Sequence, residues 1–591
     1  MRHAFSALVF VFGLAILGFP TLLFLHAGGK ESISISSKIS EFALKDTMGQ
    51  QVSLAGLKDK KAIVVVFLGT ECPINNAYVP RLIELHETYA AKGVQFLAVN
   101  SNCQDSAERV ADHAKQFAIP FPVLKDKQNQ VADLFGAQRT PEAFILDIEA
   151  KIRYRGRIDD QIGIAYKRSQ PSRRDLAIAL DELLAGKPVT QAETPVAGCL
   201  IGRAPKPKDA ANVTYTKHVA RILQKNCQEC HRPGQVGPFS LLTYDDATAW
   251  AGTIREVLED GRMPPWYADP RYGKFANDRR LSKEDRDTLL AWLDQGAPKG
   301  DDKDLPPPRE FVTGWSIGQP DVVFTMPEEF EVPAEMPKYG IPYKRFKVPT
   351  NFTKDHWIQC AEARAGATAV VHHIIVFLLP PGENFFPGNP RTPTLCGTAP
   401  GDMPLILQPG TAKLIPAGSD LIFEMHYTPN GYKQKDRSYV GLIFAKGEPK
   451  YNVRTVPIGN PMFKIPAGDD NYKVEQSYTF QEDGYVLNFM PHMHLRGKDF
   501  LYEAVYPDGK TETLLSVPRY NFNWQSVYRL AKPYPLPKGS KIHCVAHFDN
   551  SAKNPSNPDP TRTVTWGDQT WEEMMIGWMD IVYEQNDHIP H

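Results

Sequence analysis

Cysteine is scarce in this chain, with eight residues in 591. Net charge is nearly absent too: 67 Lys and Arg stand against 68 Asp and Glu, for a formal charge of -1. That balance gives no bulk attraction to nucleic acid or to an anionic membrane. Beyond about residue 315 there is no long helical pattern, which excludes a helical bundle for the second half. What is plentiful is proline and glycine, 50 and 42 residues, and this favours many turns and short strands. A hydrophobic content of 42% with 23% charged residues is that of globular units with cores of their own. The length leaves room for several domains.

The rarest residue is also the most informative. Cys227-Gln228-Glu229-Cys230-His231 has the spacing by which a c-type haem is attached, two thiols for the vinyl groups and a His as proximal ligand. Cys227, Cys230 and His231 are therefore the candidate haem c residues. Met263, in the Pro-bounded loop Asp260–Trp266, is the expected distal thioether ligand. No second Cys pair accompanies this one, so a structural zinc site is the weaker reading. His218–Lys225 reads as the helix leading into the motif. Ser282 caps a last helix with Leu289, Leu290, Trp292 and Leu293 on its apolar face. The layout of residues 211–300 resembles a small class I cytochrome c domain.

Met1–Lys30 has a basic start and an apolar run from Ala4 to Leu25. It reads as an export signal or as an uncleaved N-terminal anchor to the inner membrane. Both place the bulk of the chain outside the cytoplasm, in the periplasm or an equivalent space.

Residues 35–190 alternate strand and helix. A buried strand, Ala62–Leu68, ends at Gly69-Thr70-Glu71-Cys72-Pro73, a helix follows, and Thr140-Pro141 precedes a later strand. This pattern resembles the thioredoxin-like fold of redoxins, which implies a cis-proline at Pro141 and a reactive thiol at Cys72, favoured as thiolate by the helix N-terminus. Two departures stand out. A dithiol oxidoreductase has a second Cys where this chain has Asn75-Asn76, and a peroxiredoxin has Thr where it has Gly69. Cys103 and Cys199 are both open as partners for Cys72. Linkers fall at 191–210 and 301–314.

Residues 315–591 read as short strands forming two β-sandwiches, 315–455 and 456–591. His372-His373 lie in an apolar strand pattern, His426 closes another strand, and His492 and His494 are spaced to share one strand face. Adjacent histidines normally point to opposite faces, so a strand end or a bulge is needed for His372 and His373 to converge with His426. Imidazole suits copper, zinc and iron, and a thioether favours Cu(I). With Glu424-Met425-His426-Tyr427, Pro491–Lys498 and Glu573-Met574, these motifs resemble in order the type II copper monooxygenases that hydroxylate peptidylglycine and dopamine. The resemblance implies one copper held by His372, His373 and His426, and a second, catalytic copper held by His492, His494 and Met574. Met575 and Met579 compete for the thioether role. Peptide-amidating members anchor the substrate carboxylate with an Arg where this chain has Met490, which argues against a glycine-extended peptide. Cys360 and Cys396 flank the His pair as an expected bridge, with Cys544 left over.

The expected architecture is thus a thioredoxin-like α/β domain, a small all-α cytochrome c domain and tandem, jelly-roll-like all-β sandwiches. The expected function is an exported two-copper monooxygenase acting on a small organic or peptide-like substrate with O2, its electrons coming from an external donor through the haem, with the redoxin as a further electron route. The alternatives are a copper and haem electron-transfer or copper-binding scaffold, or a thiol peroxidase-like redoxin with accessory domains.

Overall fold

The computed structural model describes residues 33–583, apart from 165, 169, 209–210, 338–340, 387–391 and 399–403. The expected signal or anchor at 1–30 lies outside the described residues. Among those described, no helix is long and apolar enough to cross a membrane.

The first unit is built on the hydrophobic strand β1 (Ala62–Phe67), whose six residues are all buried. Such a run, buried on both faces, is the signature of a central strand. It lies between β2 (Val94–Asn100) and β5 (Glu142–Leu146), parallel to the first and antiparallel to the second. β3 (Val123–Lys125) and β6 (Ile152–Gly156) complete the sheet order β3-β2-β1-β5-β6. Val64 and Val66 meet Leu82 and Leu85 of α1 (Pro73–Ala90) and Leu176 and Leu180 of α3 (Asp175–Leu184) on one face. Val65 and Phe67 pack in a second core on the other. α2 (Ala107–Gln116) is capped by the Ser106 side chain. Before β5 comes the two-residue β4 (Arg139–Thr140), and Thr140–Pro141 is cis. This is a thioredoxin-like fold.

The chain then forms β7 (Cys199–Leu200), which pairs back onto β4. A helical unit follows with α4 (Ala220–Asn226), α5 (Tyr244–Ala249), α6 (Ala251–Glu259) and α7 (Lys283–Asp294). Its core joins Val219, Leu223, Trp250, Leu289 and Trp292. The Ser282 hydroxyl accepts from the Asp285 amide at 3.0 Å, as the cap predicts.

The helical unit is not closed on itself. Between α6 and α7 the chain leaves it as a strap, and Trp266, Ala268 and Phe275 enter the core of the last sandwich. The Trp266 and Phe275 rings stand edge-on to Tyr528, at 4.9 and 5.6 Å. Backbone bonds pin the strap: the Asp269 amide to the Ser516 carbonyl, Ala276 to Arg529, and Ala531 to Lys274, each 2.8 Å. The span 211–300 therefore contributes to two bodies, because its Pro-rich middle carries apolar rings that its own helices cannot cover.

Beyond residue 315 the structure is multi-sheet β. One set packs the sheet β8-β15-β10-β13 (Val322–Thr325, Tyr439–Phe444, His356–Arg364, Thr411–Ile415) against β9-β14-β11-β12 (Lys344–Pro349, Asp420–Tyr427, Val371–Leu379, Thr394–Thr398). Ile358, Ile374, Phe423 and Leu442 fill the space between them. The other packs β16-β23-β18-β21 (Arg454–Gly459, Ile576–Tyr583, Gly484–His492, Tyr528–Leu536) against β17-β22-β19-β20 (Tyr472–Thr479, Lys541–Phe548, Gly497–Val505, Thr511–Val517). Val486, Phe500, Ile542 and Ile581 are its core. Among the described residues no disulfide joins Cys360 to Cys396. They sit on separate sheets, β10 and β12, and Cys544 is buried in the second core.

Trp266→Ala is expected to destabilise the last sandwich by about 3 kcal/mol, the usual cost of emptying a buried aromatic site. The check is the midpoint of its urea transition, with Trp266→Phe recovering a large part of the loss.

Candidate functional site

At β11 the residue His372 has no Cα partner on β14: Val371 faces Tyr427 and His373 faces His426. The extra residue is a bulge, and it turns two adjacent histidines to the same side. Nδ1 of His372 lies 3.1 Å from Nδ1 of His373 and 3.2 Å from Nδ1 of His426. One nitrogen from each of the three rings falls within 4.8 Å of the others. Neutral rings in the right tautomers can hydrogen-bond at these distances, and the same convergence of three imidazole nitrogens is one that could hold a metal ion.

His492 ends β18 and His494 lies two residues past it, their rings 5.2 Å apart and perpendicular. Nδ1 of His492 lies 2.5 Å from Oε1 of Gln525, and Nδ1 of His494 is 3.2 Å from the Glu572 carbonyl. Both rings are held by Nδ1, so Nε2 is the atom left for a ligand. Nε2 of His494 is buried with no hydrogen-bond partner, as is Nε2 of His372. Met574 lines a cavity of about 50 Å3 with His492, His373, Tyr343 and Met490. Met575 and Met579 instead fill the sandwich core. The donor sets thus fit copper in both places, three imidazoles in one and two imidazoles beside a thioether in the other.

The two histidine groups face each other across the sandwich interface. The Phe522 ring lies 5.5 Å from His372 and stacked on it, 5.9 Å from His426 and 6.0 Å from His494. Tyr343 covers His373 and His426 edge-on. Burial in this apolar setting drives the imidazoles toward the neutral, ligating form. It lowers His372 and His492 to about 4 and His494 to about 3, with His373 and His426 well below the usual range. Glu573 holds the loop behind His494: its carboxylate accepts from the amides of His494 (2.9 Å) and Arg496 (2.6 Å). Burial lifts that carboxyl to about 7. Phe522, Gln525 and Tyr343 escaped the sequence reading because each lies in an aperiodic segment outside the strands and far along the chain from the His motifs.

The haem motif occupies a single turn after α4, with the His231 amide donating to the Cys227 carbonyl at 3.0 Å. Nδ1 of His231 meets the Phe239 carbonyl at 3.2 Å, and the ring tilts on Phe239, itself stacked on Trp250. Gly237 is pressed so closely on the motif that a Cβ there would come within 2.6 Å of the Cys230 carbonyl. An imidazole fixed by Nδ1 beside two thiols fits a c-type haem. Met263 stands on another turn, at the end of α6, its amide on the Val257 carbonyl at 3.2 Å.

Cys72 is the N-cap residue of α1 and is buried. Its Sγ lies 3.1 Å from the Thr140 carbonyl. Burial pushes the thiol up, but hydrogen bonds from the Cys199 thiol and the Asn75 amide outweigh it and bring it to about 7. The departures from the redoxin pattern now have reasons. Asn75 donates to the Gly69 carbonyl at 2.7 Å, so the missing cysteine's place is a staple. A Cβ on Gly69 would come within 2.7 Å of Asn102, which leaves no space for a peroxiredoxin threonine.

Known proteins match this first unit. The AhpC/TSA family matches residues 35–155. The thiol-disulfide oxidoreductase ResA of Bacillus subtilis (strain 168) is 32% identical over 124 residues, 21% of this chain and 68% of that protein. Through its first domain the chain belongs to the AhpC/TSA family. ResA of Geobacillus thermodenitrificans (strain NG80-2) is 29% identical over 21% of this chain and 70% of its own. Among solved structures, the hypothetical protein SMc02350 from Sinorhizobium meliloti 1021 is 32% identical, covering 29% of this chain and 94% of that one, with a TM-score of 0.26. The family assigns oxidoreductase character to the chain, and its match does not extend to the haem motif or the histidines.

The buried histidines set an acid limit. Above about pH 6.5 folded and unfolded imidazoles are both neutral. Below it the unfolded chain takes up protons that the folded sites refuse, until the folded values near 4 and 3 are reached. Glu573 acts in the opposite sense, losing its contribution as pH rises toward 7, but it is one group against five. The urea midpoint of the metal-free protein is expected to fall between pH 7 and pH 5; an unchanged midpoint contradicts neutral, buried rings.

Proposed function

We propose that this chain is an exported oxidoreductase in which two copper sites hydroxylate an organic substrate with O2, supplied with electrons through a c-type haem in the same chain. The observation that carries this reading is the meeting of three imidazole nitrogens at the β11 bulge, opposite a second histidine pair across Phe522. His372, His373 and His426 would hold one ion, and His492, His494 and Met574 the other. Bound copper supplies one-electron transfer and the activation of O2.

The protein's own contribution is orientation and exclusion. Gln525 and the Glu572 carbonyl fix the ring faces of His492 and His494. Phe522 and Tyr343 keep water from the space between the histidine groups. Met490, in place of a cationic anchor, lines the small cavity beside His492 and Trp578, which suits an apolar part of a substrate. A larger cavity of about 460 Å3 reaches His426 from Lys167, Arg168 and Trp571, where three units meet. Its cations could receive an anionic end of the same molecule.

A second reading, a thiol redoxin with accessory domains, draws support from the AhpC/TSA match and from the hydrogen-bonded Cys72 and Cys199. The two readings separate in one experiment. Exported protein should contain two coppers and one haem per chain and incorporate 18O from 18O2 into a product. His492→Ala should lose one copper and about 100-fold or more of that incorporation. Incorporation unaffected by His492→Ala, or zinc in both places, sinks the copper reading. Reduced copper that re-oxidises with no response of the haem spectrum removes the relay.

A further inference from the structure

Cys199 lies outside the matched family region, in a linker with no periodicity, yet the fold delivers it to the reactive thiol. β7 pairs with β4 so that Cys199 is opposite Thr140, whose carbonyl is the neighbour of Cys72 Sγ. The approach is closely built. Gly198 sits so near the strand that a Cβ would come within 2.1 Å of the Thr140 carbonyl oxygen. Arg139 holds the Gly198 carbonyl at 2.7 Å with one arm and Glu256 of α6 at 2.6 Å with the other. Downstream, the Gly202 amide donates to Asn102 at 3.0 Å and Ile201 is buried in the redoxin core. The linker is therefore clamped on both sides of the sulfur.

We propose that Cys199 is the resolving thiol of the first domain, closing a reversible disulfide with Cys72 in exchange with a substrate disulfide. It replaces the cysteine absent from position 75. This rests on reading the first domain as a thiol redox unit. The Cys72 thiolate attacks one sulfur of the substrate disulfide, forming a mixed disulfide and releasing the first substrate sulfur as a thiol. The Cys199 thiolate then attacks Cys72 Sγ, forming the Cys72–Cys199 bond and releasing the second. Two electrons pass from the protein thiols to the substrate disulfide, and the two thiol protons end on the released substrate thiols. The roles follow from the surroundings: Cys72 is the thiol at the helix N-terminus, and Cys199 is raised well above the ordinary range by its hydrogen bond to Cys72 and by burial. Cys103, the other open partner, is exposed and turned to Gln104 at 3.7 Å.

The test uses the reduced full chain with 5,5′-dithiobis(2-nitrobenzoate) as the disulfide, followed by non-reducing peptide mapping. The wild type and Cys103→Ser are expected to give a Cys72–Cys199 peptide. Cys199→Ser and Cys199→Ala should instead retain the nitrobenzoate mixed disulfide on Cys72, its loss slowed at least about 10-fold. Two variants of different polarity guard against a folding artefact, and an unchanged urea midpoint identifies a folded one. A bridge from Cys72 to Cys103, or a mixed disulfide that persists in the wild type, overturns the assignment of Cys199 and leaves the thiol reading standing. Cys72 unmodified in every form overturns both.

Discussion

The histidine site depends on two cations, Arg345 half-buried and Lys413 buried, that cross from one sandwich to the other. Arg345, on β9, binds Glu424 of its own sandwich at 2.7 Å and Asp568 of the other at 2.8 Å. Lys413 reaches Asp580 at 3.5 Å and Thr455 at 2.8 Å, with Asn488 completing the Asp580 carboxylate. Such pairs add little net stability over apolar packing, but their geometry is demanding. They fix the distance and angle at which the two sheets meet. Neither histidine group alone closes the site; the interface does.

The same interface accounts for the electrostatics. Five imidazoles share an apolar space with no carboxylate among their ring partners, so each is held neutral by burial. The carboxylates nearby are committed elsewhere, Glu424 to Arg345 and Glu573 to backbone amides. A site for a soft or borderline cation needs this arrangement, in which ligand atoms are available without competing protons.

Much of the site was legible because its residues sit on strongly patterned elements. The all-apolar β1 and the Cys72-Pro73 junction announced the first domain, and the strand pattern around His372-His373 predicted a buried strand with either a strand end or a bulge at the pair, of which the fold supplies the bulge. The rest was hidden where pattern fails. Cys199 lies on a strand of two residues, too short to leave an alternation, and only the fold shows that it, unlike Cys103, lies opposite Thr140. The strap carrying Trp266 and Phe275 reads as a Pro- and Gly-rich loop, because its partners lie in another domain. Phe522 and Gln525 are likewise set by tertiary contact alone.

That strap has a consequence for how the molecule comes into being. The Asn277 side chain bonds the Val527 carbonyl across a separation of 250 residues. A chain emerging from its N-terminus can complete the redoxin unit early, but the helical unit must wait with two aromatic rings uncovered until the last strands arrive. Folding order is therefore not the order of domains along the chain. The unit that carries the haem motif is tied off only when the last sandwich closes over its strap, so a chain left unfinished would keep an apolar flag in the solvent.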